Sequence, residues 1–235
     1  MTIKLITGTI TAFDTTGELL ALKKKGLFYQ WYWTRHGWRK METKFGKRLE
    51  QSSLFKMVQT TGSGKTLLAA ILLWLSKDKI KTAANMQLSF IDKSIDSFEE
   101  FLALEGYEVL LDDVRHIIEN WRSPGAKLAT EFSNSSRKKR NELLITSQRL
   151  MNYVPPDIRE IADEVYVPYI RCFDATKKAP DWRPTNQKYL PLEIWSLRFS
   201  GDFEYLGYSK YNLTGETGQQ ILKSFDTMKI SKGLK

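Results

Sequence analysis

The stretch LFKMVQTTGSGKTLLAAILLWL, Leu54 to Leu75, enters as a short apolar run, passes through a Gly/Ser/Thr loop and leaves as a long apolar run. In Gly62 to Thr66 (GSGKT) the residues carry little side chain, so successive backbone N–H groups are free to turn toward the oxygens of a phosphate. Lys65 adds a compact positive charge, and Thr66 offers a hydroxyl to Mg2+. The N-terminus of the following helix itself favours an anion. The pattern predicts a site for ATP and Mg2+ in which Thr60, Thr61, Gly62, Ser63, Gly64, Lys65, Thr66 and Leu67 line the phosphates. The full pattern of such a loop is G-x-x-x-x-G-K-[ST], and counting back from Gly64 puts Gln59 where its first glycine belongs. The plainer alternative is a Gly-rich surface turn ahead of a core helix. Apolar Leu54 to Val58 before the loop and Leu67 to Leu75 after it supply the strand and helix that a phosphate loop needs. The second run falls far short of the ~20 residues that span a bilayer, so it reads as a helix packed under a sheet.

Working outward, 235 residues with 42% hydrophobic content are enough for one α/β core with accessory pieces. Lys and Arg total 36 against 27 Asp and Glu, a net charge of +9 that favours a polyanionic partner. The one cysteine, Cys172, excludes an internal disulfide, and Met1 to Phe13 alternates polar with apolar residues where a signal peptide would have an apolar core. A reducing, cytoplasmic setting is expected. Lys4 to Leu22 alternates as strands do around DTTG (Asp14 to Gly17), which predicts a hairpin and a small N-terminal β extension over 1–50. Within it, Gly26 to Arg48 interleaves Phe28, Trp31, Tyr32, Trp33 and Trp38 with Arg35, Arg39, Lys40 and Arg48. Two readings stand for this segment: cations and rings for nucleic acid, or core aromatics with a solvated charged edge.

Beyond the loop, residues 51–172 read as the core. Ile80 to Phe90 predicts a strand, and Ser94 to Leu104 a helix capped by Asp92 or Ser94. Tyr107 to Asp113 (YEVLLDD) is an apolar run ending in two acids, the form of a buried parallel strand that delivers carboxylates to a ligand crevice. Asp112 is the candidate Mg2+ holder, with Thr66, and Asp113 the candidate that orients or deprotonates an attacking water. Helical stretches at Val114 to Trp121 and Ala126 to Ser136 lead to Arg137, Lys138, Lys139 and Arg140, then to a strand at Leu143 to Ile145. That strand ends in Thr146, Ser147 and Gln148. Gln148 is a candidate γ-phosphate sensor, unless TSQ merely opens the next loop. Arg137 in the basic run and Arg159 after the Pro155-Pro156 break are candidates to reach a neighbour's phosphate, although such a run is also a natural solvated face. Glu164 to Ile170 predicts another strand, and residues 173–235 a basic loop (Ala175 to Pro191), an antiparallel pair within Trp195 to Tyr208, and a helix within Thr214 to Met228.

Taken in order, QTTGSGKT, TAANMQLSF, VLLDD, SSRKKRNELLITSQ and DIREIADEVYVPYI resemble the HerA and FtsK superfamily of P-loop ATPases. The similarity lies with the compact branch that includes genome-packaging ATPases of internal-membrane viruses and zonular occludens toxin-like phage assembly ATPases. It covers Leu54 to Ile170, and its telling positions are Asn85, Arg137-Lys138, Gln148 and Arg159. Members of the family usually carry Asp-Glu where this chain has Asp112-Asp113.

The resemblance implies a RecA/FtsK-like α/β fold, a mostly parallel sheet flanked by helices, and a homo-oligomeric ring, commonly a hexamer. It further implies ATP between subunits and double-stranded DNA in the bore, gripped through its backbone with little base specificity. The expectation is a viral genome-packaging ATPase working with capsid or portal-vertex proteins, in the host cytoplasm or associated with the virion, without a membrane span. Its competitors are an ATPase for virion extrusion or plasmid transfer, a small-molecule phosphotransferase and a nucleotide-gated DNA-binding module.

Overall fold

Short apolar runs of four to six residues form the strands at the middle of the sheet, and the longer apolar run after Gly64 forms its principal helix. The computed structural model describes residues 2–7, 30–34, 37–41, 64–114, 131, 138–148, 154–174, 179–181, 189–201 and 205–224. In order these form β1 (Ile3–Thr7), β2 (Gln30–Thr34), β3 (Gly37–Met41), α1 (Lys65–Ser76), β4 (Lys81–Ala84), β5 (Lys93–Ser94), α2 (Phe98–Leu102) and β6 (Tyr107–Leu111). Then follow β7 (Glu142–Ser147), α3 (Pro156–Glu160), β8 (Glu164–Asp174), β9 (Ala179–Asp181), β10 (Tyr189–Ser200), β11 (Tyr205–Asn212) and α4 (Glu216–Ser224).

The main sheet runs in the order β11-β10-β8-β1-β7-β6-β4-β5, with β9 on the side of β8. Its six strands from β8 to β5 are parallel, while β10 and β11 add antiparallel pairs. This is the mixed, mostly parallel α/β sheet expected from the sequence, and the antiparallel pair closes one side as predicted. The alternation of each parallel strand divides its apolar residues between two faces. Ile6, Ala84, Leu110 and Leu144 pack under α1 with Leu68, Ile71 and Leu73. Ile3, Leu5, Val109, Leu111 and Ile145 face α2 and α3, against Phe98, Phe101 and Ile158. Burial on both faces is why YEVLL and ELLIT read as near-continuous apolar runs.

Several expectations change. Lys4 to Thr7 belong to β1, a central parallel strand between β7 and β8, rather than to a peripheral hairpin. The core sheet thus draws on the first residues of the chain. The rest of that hairpin, Asp14 to Gly17 included, lies outside the described residues, as do Leu54 to Val58 and nearly all of the helical stretches between Val114 and Ser136. Of Gly26 to Arg48, β2 and β3 are described and pair with each other. The strand expected over Ile80 to Phe90 ends at Ala84, because from Asn85 onward a side-chain amide takes over the contact with β6. Helix α2 begins after Ser97, not at Asp92 or Ser94. Ser97 Oγ accepts the Glu100 N–H at 3.2 Å, and the Glu100 carboxylate accepts the Asp96 N–H at 2.8 Å, a reciprocal cap. Asp92 is engaged elsewhere: its Oδ2 accepts from the Thr82 N–H at 2.7 Å, tying β4 to the turn before β5. Part of the Ala175 to Pro191 loop is strand, in β9 and the start of β10. No helix among the described residues is long and apolar enough to cross a membrane.

Candidate phosphate-binding site

From β1 the sheet grows in both directions, toward β7, β6, β4 and β5 on one side and toward β8 and β10 on the other. In open α/β sheets this reversal of strand order opens a crevice beyond the carboxyl ends of the strands, where ligands bind. Helix α1 presents its N-terminus to that edge. Its far end, Ser76, is followed within a few residues by Lys81, where β4 starts at the opposite edge.

The residue before α1 is Gly64, with φ 91° and no capping side chain, and the first turn contains no acid. A Cβ at Gly64 would sit 3.0 Å from Ile194 Cδ1 and 3.6 Å from Ile170 Cβ, besides forcing an L residue into left-handed backbone. The N–H groups of a first helical turn have no intrahelical acceptors, and with the helix dipole they favour an anion at this place. Thr66 is half-buried in that turn, whereas the Leu67 side chain packs in the core and leaves only its backbone to the crevice.

Lys65 opens α1 and turns toward the tip of β6. Burial lowers its pKa, while the carboxylates of Asp113 and then Asp112 pull it back up. Those two acids are held by side chains from the strands on either side of β6. Asp112 is 4% exposed, so its orientation is set by the protein rather than by water. The Asn85 side chain, past the end of β4, donates from Nδ2 to the Asp112 carbonyl at 3.1 Å and accepts the Asp112 N–H on Oδ1 at 2.7 Å. On the other side Thr146, in β7, donates its hydroxyl to Asp112 Oδ1 at 2.7 Å and accepts the Asp113 N–H, also at 2.7 Å. Asp113 adopts a left-handed backbone at φ 46°, uncommon for a non-glycine residue and found where surrounding contacts determine it.

The structure therefore brings together Gly64, Lys65, Thr66, Asp112 and Asp113 at one edge. Gln148 is half-buried immediately past the end of β7, beside Ser147, which pairs with Thr7 of β1. Arg159 is not part of this group. Its Nε donates to the Val154 carbonyl at 3.1 Å, and burial lowers its pKa against the pull of Glu160. Helix α3 leads to the opposite edge, where Asp163 accepts the Ile3 N–H at 2.7 Å. Thr60, Thr61, Gly62, Ser63 and Arg137 lie outside the described residues. Sequence reasoning named Thr146 as a strand-tip polar group but missed its task of holding the acid pair. The available signal was a threonine near the carboxyl end of a buried strand, the fifth of its six residues, following the acid-tipped one.

The residues present suit a triphosphate with Mg2+. Gly64 holds the left-handed turn into an uncapped helix start, and Thr66 and Asp112 supply the hard oxygen donors that Mg2+ prefers. Among the described residues no cluster of three or more His, Cys, Asp or Glu could hold a metal ion.

Fold and site together are consistent with a P-loop-like α/β fold carrying an anion cradle at a strand switch point. No family model matches the chain, and no curated protein matches it in sequence. Among solved structures it is similar to the N-terminal domain of zonular occludens toxin from Neisseria meningitidis, at 12% identity and a TM-score of 0.40, covering 96% of this chain and 98% of that one. Similarity at this level is a loose likeness of shape, and the chemistry rests on the residues themselves.

Proposed function

We propose that this protein is a Mg2+-dependent ATPase. The observation that carries the reading is the meeting, at the switch point of a parallel sheet, of Lys65 on an uncapped helix N-terminus with the braced pair Asp112 and Asp113. In this reading the first-turn N–H groups and Lys65 hold the β- and γ-phosphates, and Thr66 and Asp112 hold the metal. Bound Mg2+ supplies neutralisation of phosphate charge and polarisation of the γ-phosphoryl group. Asp113 orients the attacking water and accepts its proton, and Gln148 positions that water or reads the γ-phosphate. Holding Asp113 in its strained backbone fixes the base in place before substrate arrives, which is where positioning contributes most to phosphoryl transfer.

The finer reading is a motor that moves double-stranded DNA during viral genome packaging, in a homo-oligomeric ring that docks on capsid or portal-vertex proteins. It is supported by the net charge of +9. Arg159 and Arg137 are then candidates to act on a neighbouring subunit's nucleotide, so that hydrolysis requires assembly.

The test is ATP turnover as a function of protein concentration, with and without duplex DNA. Lys65→Ala should abolish turnover. Asp113→Asn should bind an ATP analogue but hydrolyse ATP much more slowly. Turnover rising with assembly and stimulated by duplex DNA supports the motor; wild-type protein inert under every condition refutes the ATPase. Full activity in a dilute monomer would instead point to a phosphotransferase.

A further inference from the structure

The strand that enters the phosphate loop and the helix that leaves it are normally joined by a few residues. Here the strand at the switch point is β1, which ends at Thr7, and the helix is α1, which begins at Lys65. Both ends stand at the same edge of the sheet. Thr7 pairs with Ser147 at the carboxyl tip of β7, and Ile6 packs with Leu67 and Leu68 of α1. A Cβ built at Gly64 would lie 3.6 Å from Ile170 Cβ of β8, the strand paired to β1 on its other side. The two strands described between them, β2 and β3, pair with one another in a sheet of their own and take no place in the main sheet.

We infer that residues Thr9 to Gln59 are an insertion within the phosphate loop, and that the loop proper is composed of two distant pieces of sequence. Joining Gly8 to Thr60 restores IKLIT-G-TTGSGKT, in which Gly8, Gly64, Lys65 and Thr66 stand at the spacing G-x-x-x-x-G-K-T. The glycine that is lacking at Gln59 is therefore present, fifty-one positions earlier in the chain (59 − 8 = 51). An insertion whose ends leave and re-enter at one edge needs no rearrangement of the sheet it interrupts, and loop-closure cost grows only slowly with its length. The inference assigns Gly8 to phosphate binding and frees Gln59 from it. It rests on the nucleotide reading for the role of Gly8, and on topology alone for the insertion.

Two measurements test it. In the full chain, Gly8→Val should weaken binding of a fluorescent ATP analogue about tenfold or more, whereas Gln59→Ala should leave it within about twofold. A deletion that joins Gly8 directly to Thr60 should melt cooperatively, with the helix and strand content of the core retained by circular dichroism. The opposite ranking of the two substitutions overturns the assignment of Gly8, and a deletion variant without a cooperative transition overturns the insertion. A wild-type chain that binds no nucleotide, beside a deletion variant that folds, would remove the phosphate role and leave the insertion standing. Should Gly8→Val fail to fold, nucleotide binding by the deletion variant decides, since only a joined loop of the correct spacing would retain it.

Discussion

Thr146→Val replaces one hydroxyl by a methyl group of nearly the same volume in a strand that accepts either residue, so no cavity opens and strand preference is unchanged. What is lost is the hydroxyl's buried bond to the Asp112 carboxylate and its part-buried bond from the Asp113 N–H, both at 2.7 Å. A hydrogen bond to a charged group contributes about 1.5–3 kcal/mol and a neutral one about 0.5–1.5 kcal/mol. Because one hydroxyl serves both, the expected loss is about 3 kcal/mol rather than the sum of the upper limits. For a chain of this size that is a fall in Tm of roughly 6–12 °C, read by differential scanning calorimetry. The same substitution releases the backbone of Asp113 from its left-handed position. Turnover should therefore fall by roughly 10–100-fold while affinity for an ATP analogue stays nearly unchanged, since the phosphate cradle is not touched. A Thr146→Val variant that melts within about a degree of wild type would show that the hydroxyl does not hold the acid pair. A lowered Tm with unchanged turnover would show that Asp113 needs no such positioning.

Gly64→Ala should lower both Tm and nucleotide affinity, because left-handed backbone costs an alanine about 1–2 kcal/mol and its Cβ must displace Ile194; equal melting curves would contradict the cradle geometry. At the opposite edge Glu108 of β6 is buried, which raises its pKa; the Lys4 ammonium, 3.5 Å from its Oε1, opposes the shift, and neighbouring Glu142 reinforces it. A carboxyl whose pKa is higher folded than unfolded stabilises below its ordinary value, near 4.5, and that contribution is lost as pH rises through the folded value. Glu108→Gln does not titrate, so its Tm relative to wild type should climb as pH is raised from about 4.5 toward neutrality; a difference that is flat or declining would refute this. Binding of duplex DNA, measured by fluorescence anisotropy, should weaken steeply between about 50 and 200 mM salt if phosphate contacts dominate, and salt-independent binding would exclude a backbone grip.

Much of the candidate site was readable from residue order. GKT ahead of LLAAILL, the acids closing YEVLL and the polar tip of LLITS are local patterns, and each formed the element predicted. A helix start, a buried strand and the residues at its tip depend on neighbours within about ten positions, which the sequence displays directly. The strand that feeds the site was misplaced for a physical reason. IKLIT alternates Lys4 with apolar residues, so it resembles a strand with one face in water. In the structure Lys4 is instead received by Glu108 and Glu142, 3.5 Å from each and more than 100 residues away in sequence, and the strand lies in the middle of the sheet. Nothing within those five residues distinguishes a solvated lysine from a paired one.

The composition and local periodicity of the chain were thus sufficient to predict an α/β sheet, a helix opening at Lys65 and an acid pair at Asp112 and Asp113 past the end of a buried strand. Only the tertiary structure decided that β1 is the central strand, that Asn85 and Thr146 clamp the acids from both sides, and that Arg159 Nε bonds the Val154 carbonyl. Those outcomes depend on hydrogen bonds and strand pairings between residues far apart in sequence, whose partners are chosen by the packing of the whole sheet and leave no mark on the segments they join.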